Sequence, residues 1–166
     1  MGSIQWQGKK SAVLAISVTL GMILSYLEAL IPVFSGVPGI KCGFSNILMV
    51  FLLYRYGAKE SGVVNLLRIL LTAVLFTNPF SLIYSLAGAV FSLAGMSALK
   101  KSRIFSVFGV SMAGGVLHNL GQILIAVFLV ENYRVFFYLP VLMISGCLTG
   151  LLVGFLSSKL LTRVKL

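Results

Sequence analysis

The sequence predicts an all-α integral membrane protein, a bundle of six transmembrane helices with both termini in the cytoplasm. Three observations carry that prediction. Of 166 residues, 59% are hydrophobic and only 10% charged, whereas a soluble domain carries about 25% charged residues to cover its surface. The apolar residues fall into six runs punctuated by Pro, Gly or clustered Lys and Arg. The basic residues, which set a net charge of +10, are shared unevenly between the connecting segments. At about 20 apolar residues per span, six helices use roughly 120 positions. That leaves one domain with short loops.

The first run covers 11 to 31, behind a polar start in which Gln5, Trp6, Gln7 and the Lys9-Lys10 pair suit the headgroup region. No A-x-A cleavage site follows it, so the segment is expected to stay in the mature protein. It stops at Pro32. The second run, 44 to 57, stops at Gly57, and the third, 62 to 76, stops before Asn78-Pro79, where proline disfavours helix in the preceding residue. The fourth, 80 to 99, ends at Lys100, Lys101 and Arg103; the fifth and sixth cover 105 to 130 and 136 to 158. The second and third runs reach only about 21 to 23 Å of a core about 30 Å thick. A loop over 32 to 43, rich in Gly and Pro, is placed to fold inward there, because irregular backbone at membrane depth is tolerated where it lines a cavity. Tilt mismatch explains the lengths as well.

Charge sets the expected orientation. With the N-terminus inside, the cytoplasmic segments hold ten basic residues, Lys9, Lys10, Arg55, Lys59, Lys100, Lys101, Arg103, Lys159, Arg163 and Lys165, and the outer loops hold two, Lys41 and Arg134. Lys and Arg are retained on the cytoplasmic side. The basic excess is thus a topology signal, and no nucleic-acid partner is expected.

Several chemistries are excluded. The chain has no Asp and three Glu, at 28, 60 and 131, so it lacks the clustered carboxylates with which a Mg²⁺-diphosphate enzyme holds its metal. No phosphate-cradling G-x-x-x-x-G-K-[ST] loop is present. Cys42 and Cys147 are far apart and read as small apolar residues. Neither a metal nor a cofactor is expected.

The polar residues within the apolar field gather from the bilayer midplane towards the outer side. Glu28 falls near the outer end of helix one, Lys41 in the outer loop, Asn46 at the outer start of helix two, Arg68 mid-way along helix three and Asn78 at the next outer turn. His118, Asn119 and Gln122 fall in the middle of helix five, with His118 and Gln122 on one face. An intramembrane Arg costs about 2.5 to 3.5 kcal/mol on insertion scales, so Arg68 is a functional candidate by default. A structural ion pair with Glu28 competes evenly with that reading, as a core hydrogen bond does for His118. Lys41, Arg68 and His118 favour an anionic ligand, and the surrounding Phe, Tyr and Leu favour an apolar body. On helix one, Ser11, Ala15, Ser17 and Gly21 recur at spacings that allow close helix approach, either inside the bundle or onto a separate membrane subunit.

Five stretches carry a family resemblance: P-G-I-K-C-G-F-S-N-I at 38 to 47, L-L-R-I-L-L at 66 to 71, N-P-F-S-L-I-Y-S-L-A-G at 78 to 88, H-N-L-G-Q at 118 to 122, and Y-L-P-V-L-M-I-S-G at 138 to 146. Over roughly 10 to 158 the chain resembles the bacterial membrane family labelled heptaprenyl diphosphate synthase component I, also called the Gx transporter family. That family is in turn similar to the substrate-binding S-components of ECF transporters. The resemblance implies a six-helix subunit of the bacterial cytoplasmic membrane that binds a small anionic or amphipathic nutrient. It also implies partners, an ECF-type transmembrane coupling subunit and ATPase subunits, with Ser11 and Ala15 standing in for the A-x-x-x-A docking pattern, since Ala12 is followed by Ile16. The alternative expectation is a non-catalytic membrane subunit of a prenyl diphosphate synthase. A passive scaffold, with the polar residues as interhelical glue, is a third.

Overall fold

The computed structural model describes residues 2–30, 43–76 and 79–164. It contains six α-helices: α1 (Gly2–Leu30), α2 (Asn46–Arg55), α3 (Ala58–Phe76), α4 (Pro79–Ser102), α5 (Val107–Val130) and α6 (Leu139–Arg163), the last preceded by a 3₁₀ turn at Tyr133–Tyr138. All six expected elements are present in order. Four of them, those carrying α1, α4, α5 and α6, are long and apolar enough to cross a membrane, which makes this a multi-pass membrane protein. The outer loop expected to fold inward, 32 to 43, lies outside the described residues apart from Gly43.

Helix α2 is shorter still than the run of 44 to 57 from which it is expected. Its ten residues rise about 15 Å, half of a bilayer core. It is the core of the bundle: Ile47 to Leu53 are all buried, with Leu52 fully so. A helix buried on every side is one surrounded by protein. Gly57, at φ +115°, ends it, and the amides of Tyr56 and Gly57 both donate to the Leu52 carbonyl, at 2.8 and 3.1 Å. Neighbouring helices then reach its backbone. The Ser61 hydroxyl donates to the Met49 carbonyl at 2.8 Å, the Ser157 hydroxyl to the Ile47 carbonyl at 3.0 Å, and Lys100 Nζ to the Leu53 carbonyl at 2.6 Å. Lys100 thereby places a cation at the negative end of the α2 dipole.

On one side of this core, α4, α5 and α6 are joined through glycines. Gly146, Gly150 and Gly154 repeat every fourth residue on α6, and a Cβ added at 150 would lie 2.6 Å from the Ser111 carbonyl oxygen and 2.7 Å from Met112 Cα. Across the α4–α5 contact, a Cβ at Gly121 would lie 2.8 Å from the Ala87 carbonyl oxygen. Backbone meets backbone at both crossings, the arrangement that small residues permit between membrane helices. On the other side, α1 leans on α3, tied near its start by a Lys10–Glu60 ion pair of 2.6 Å.

The small residues of α1 divide between the two explanations left open by their spacing. Ser17 is buried and donates to the Val13 carbonyl, and Gly21 is packed beneath the Arg68 side chain. These two therefore pack inside the bundle. Ser11 and Ala15 remain exposed. Successive helices run in opposite directions, so the ends of α1, α3 and α5 and the starts of α2, α4 and α6 meet at one end of the bundle. That end holds the polar cluster.

Candidate functional site

A cavity of about 120 Å³ opens at this end. Glu28 at the end of α1, Asn46 at the start of α2, Arg68 in α3, and His118, Asn119 and Gln122 in α5 all line it. The structure thus brings together six of the eight expected site residues, although they are spread over 95 positions of the chain. The other two, Lys41 and Asn78, lie outside the described residues.

Arg68 is the centre of the site. It is 9% exposed, and its guanidinium is held on three sides. Nε and Nη2 both donate to Asn65 Oδ1, at 3.1 and 2.6 Å, while Nη1 donates to Ser25 Oγ at 2.9 Å and to Ser45 Oγ. These acceptors are neutral. They fix the plane of the guanidinium without cancelling its charge, and the opposite charge lining the same cavity is that of Glu28. The Glu28 carboxylate in turn accepts the backbone N–H of Gly43, just ahead of α2. Arg68 and Glu28 are therefore coupled parts of one pocket, and neither of the two competing readings of Arg68 excludes the other.

The helix-five group is positioned by neighbouring backbone. Gly88 on α4 lies so close to His118 that an added Cβ would be 2.8 Å from both Cε1 and Nε2 of the ring, so any side chain there would displace the imidazole from this position. Asn119 Nδ2 donates to the Leu142 carbonyl at 2.6 Å and lies 3.4 Å from Ser145 Oγ, which ties α5 to α6 where both border the cavity.

Half of the polar side chains in the lining carry no signal in the sequence. Ser25, Ser45, Thr72, Ser81, Ser85 and Thr149 also border the cavity, as hydroxyl residues that are common in membrane helices and carry no distinctive spacing. Asn65, which orients Arg68, was missed too; its position three residues before an intramembrane Arg was the available signal. The expected apolar body finds little support here. Among the described lining residues only Ala29, Ile69, Ala73 and Leu82 have apolar side chains, and none is aromatic. The Phe and Tyr residues that suggested it belong to other parts of the helices.

A smaller recess of about 20 Å³ continues inward past Gly43, Asn46, Gly115 and Thr149 to Ser92 and Ser111. Ser111 is 2% exposed, and its hydroxyl, like that of Thr72, has no hydrogen-bond partner among the described residues. Thr72 borders the cavity and Ser111 the recess, so each hydroxyl has space for a partner beside it. The recess is large enough for a water molecule. Chemically, the arrangement can orient a small polar group beside one fixed positive charge. Among the described residues, no three His, Cys or Glu side chains gather in a way that could hold a metal.

The family model for heptaprenyl diphosphate synthase component I matches residues 17–160. No curated protein and no solved structure matches the chain.

Proposed function

Because the chain belongs to the heptaprenyl diphosphate synthase component I family, we propose that it is a non-catalytic membrane component of a prenyl diphosphate synthase assembly, with the Arg68 cavity as its ligand site. The observation that carries the reading is a buried, rigidly hydrogen-bonded guanidinium walling a polar cavity in a chain without a single Asp. Such a site binds and orients an anion, whereas Mg²⁺-dependent diphosphate chemistry requires clustered carboxylates. Catalysis then belongs to a partner. The chain would work in the bacterial cytoplasmic membrane, with the cavity facing outward if the basic end is inside. The test is co-purification of the tagged, full-length protein with a soluble prenyl diphosphate synthase, followed by product analysis. Retention of the synthase and a change in product chain length support the reading; neither association nor a change in product defeats it.

A second reading, a substrate-binding subunit of an ECF-type transporter, is favoured by one feature. The cavity is confined to one end of the bundle, as suits a protein that captures a small molecule on one side and passes it on with a partner's ATP hydrolysis. Ser11 and Ala15 on the exposed side of α1 would then face the coupling subunit. Co-purification with such a subunit and its ATPases, in place of a synthase, would select this reading.

A further inference from the structure

We propose that the turn between α4 and α5 binds an anionic phospholipid, with the headgroup phosphate on Lys101 and Arg103 and the first part of the acyl chains on Ile104 and Phe105. The site is independent of the Arg68 cavity, which opens at the other end of the bundle.

Depth is the first argument. Helices α4 and α5 have 24 residues each and rise about 36 Å, against roughly 30 Å of hydrocarbon and 40–45 Å with the headgroups included. The turns at both ends of α5 therefore fall at the level of the headgroups. A soluble protein would have to reach into that layer to cover them; a lipid is already there.

Unpaired charge is the second. At this end of the bundle Lys10 is paired with Glu60, Lys100 donates to the Leu53 carbonyl and lies over the Tyr54 ring, and Lys159 lies over the Phe155 ring at 4.3 Å. Lys101 and Arg103 are exposed, and among the described residues neither side chain has a hydrogen bond, an ion pair or a ring partner. Arg103 sits at φ +59°, a left-handed conformation that favours glycine, so the turn keeps a cation where glycine fits more easily. Beside these charges Ile104 is 82% exposed and Phe105 48%. Orientation in the membrane asks only that basic residues stay on one side; it does not ask that a turn set two unpaired cations beside bare apolar side chains. That pairing matches a phosphate carried on hydrocarbon.

The turn at the other end of α5 is a comparison built into the same helix. There Glu131 holds the left-handed conformation, at φ +51°, and Tyr133 and Phe137 are as exposed as Ile104. Its charges, Glu131 and Arg134, cancel. Two turns at headgroup level thus share their apolar exposure and differ in charge, so selection of an anionic headgroup belongs to the α4–α5 turn.

The test is native mass spectrometry of the full-length protein, delipidated in detergent and titrated with phosphatidylglycerol or with phosphatidylcholine of the same acyl chains. At about fivefold for each basic residue beside an anionic headgroup, the first phosphatidylglycerol should bind about thirtyfold more tightly than the first phosphatidylcholine. The double variant Lys101→Gln, Arg103→Gln should abolish that preference, and Arg134→Gln, an equal change of charge type at the other turn, should leave it in place. Ile104→Ser should weaken both lipids equally. All four side chains are exposed, so the variants keep the fold. Equal affinity of the unaltered protein for the two lipids overturns the proposal. So does a preference that survives the double variant, the result expected if the turn receives an acidic soluble protein and lipid is selected elsewhere. Inorganic phosphate separates a lipid from a free anion: if it displaces phosphatidylglycerol at equal concentration, the turn is a soluble-anion site and the proposal fails.

Discussion

Replacing Gly150 by Ala and, separately, Gly88 by Ala adds the same methyl group to the same bundle with different consequences. At 150 the new Cβ would meet the Ser111 carbonyl oxygen at 2.6 Å, Met112 Cα at 2.7 Å and the Ser111 carbonyl carbon at 3.1 Å, all backbone atoms of α5. No rotamer change relieves those contacts; α5 and α6 must separate, which loosens the neighbouring crossings at Gly146 and Gly154. Overpacking of this kind costs about 1–3 kcal/mol, and the upper part of that range applies where two backbones move. The helix-propensity gain of Ala over Gly, about 1 kcal/mol, offsets part of it. A net loss of about 1–2 kcal/mol follows. At 88 the methyl would instead meet the ring of His118 at 2.8 Å, a side chain that turns about its own bonds. There the propensity gain and the ring displacement roughly cancel, and the change is felt in the cavity that His118 borders. Reversible unfolding in mixed detergent micelles, followed by circular dichroism, measures the difference. Equal stabilities for G150A and G88A, or a more stable G150A, would refute the claim that backbone contact at the α5–α6 crossing limits what position 150 can be.

Three further outcomes are expected. Lys10 donates a hydrogen bond to the Glu60 carboxylate and holds it below its ordinary value of 4.5. The contribution of this pair to stability is therefore complete above that value and lost as pH falls through the lowered one; Lys10→Met should remove this acid-side dependence in a pH series of unfolding midpoints. Lys100→Met takes away the donor to the Leu53 carbonyl and should cost about 1–2 kcal/mol in the same unfolding assay; a neutral effect would mean that another group caps α2. Orientation can be read with single cysteines placed at Ile104 and Tyr133, both highly exposed, after replacement of Cys42 and Cys147. A membrane-impermeant maleimide added to intact cells should label position 133 and spare 104, and the reverse pattern would invert the topology expected from the basic residues.

The sequence made the long helices legible because apolar runs and their punctuation report directly on burial in lipid. It also exposed Glu28, Asn46, Arg68, His118 and Gln122, because a polar residue in an apolar run needs a reason, and all five border the cavity. That α2 is enclosed by protein was not legible, because periodicity cannot separate a helix buried in protein from one facing lipid. Its extra bonds come from Ser61, Lys100 and Ser157, partners that no local pattern predicts. The Gly146, Gly150 and Gly154 repeat was visible as G-x-x-x-G-x-x-x-G and went unused, whereas the apolar body expected for the ligand came from composition alone. Composition counts the aromatic residues without saying which way they face.

The shortness of α2 has an electrical side. Once water or ligand fills the cavity down to Asn46, the membrane voltage no longer falls evenly across about 30 Å; it falls mainly across the roughly 15 Å of low-dielectric protein spanned by α2. A charged molecule that only enters the cavity crosses little of the voltage. One carried past Asn46 crosses nearly all of it, worth about 2.3 kcal/mol per charge at 100 mV. Occupancy of the site is accordingly almost insensitive to membrane potential and onward passage strongly sensitive, so one ten-residue helix gives a receptor and a transporter different electrical signatures.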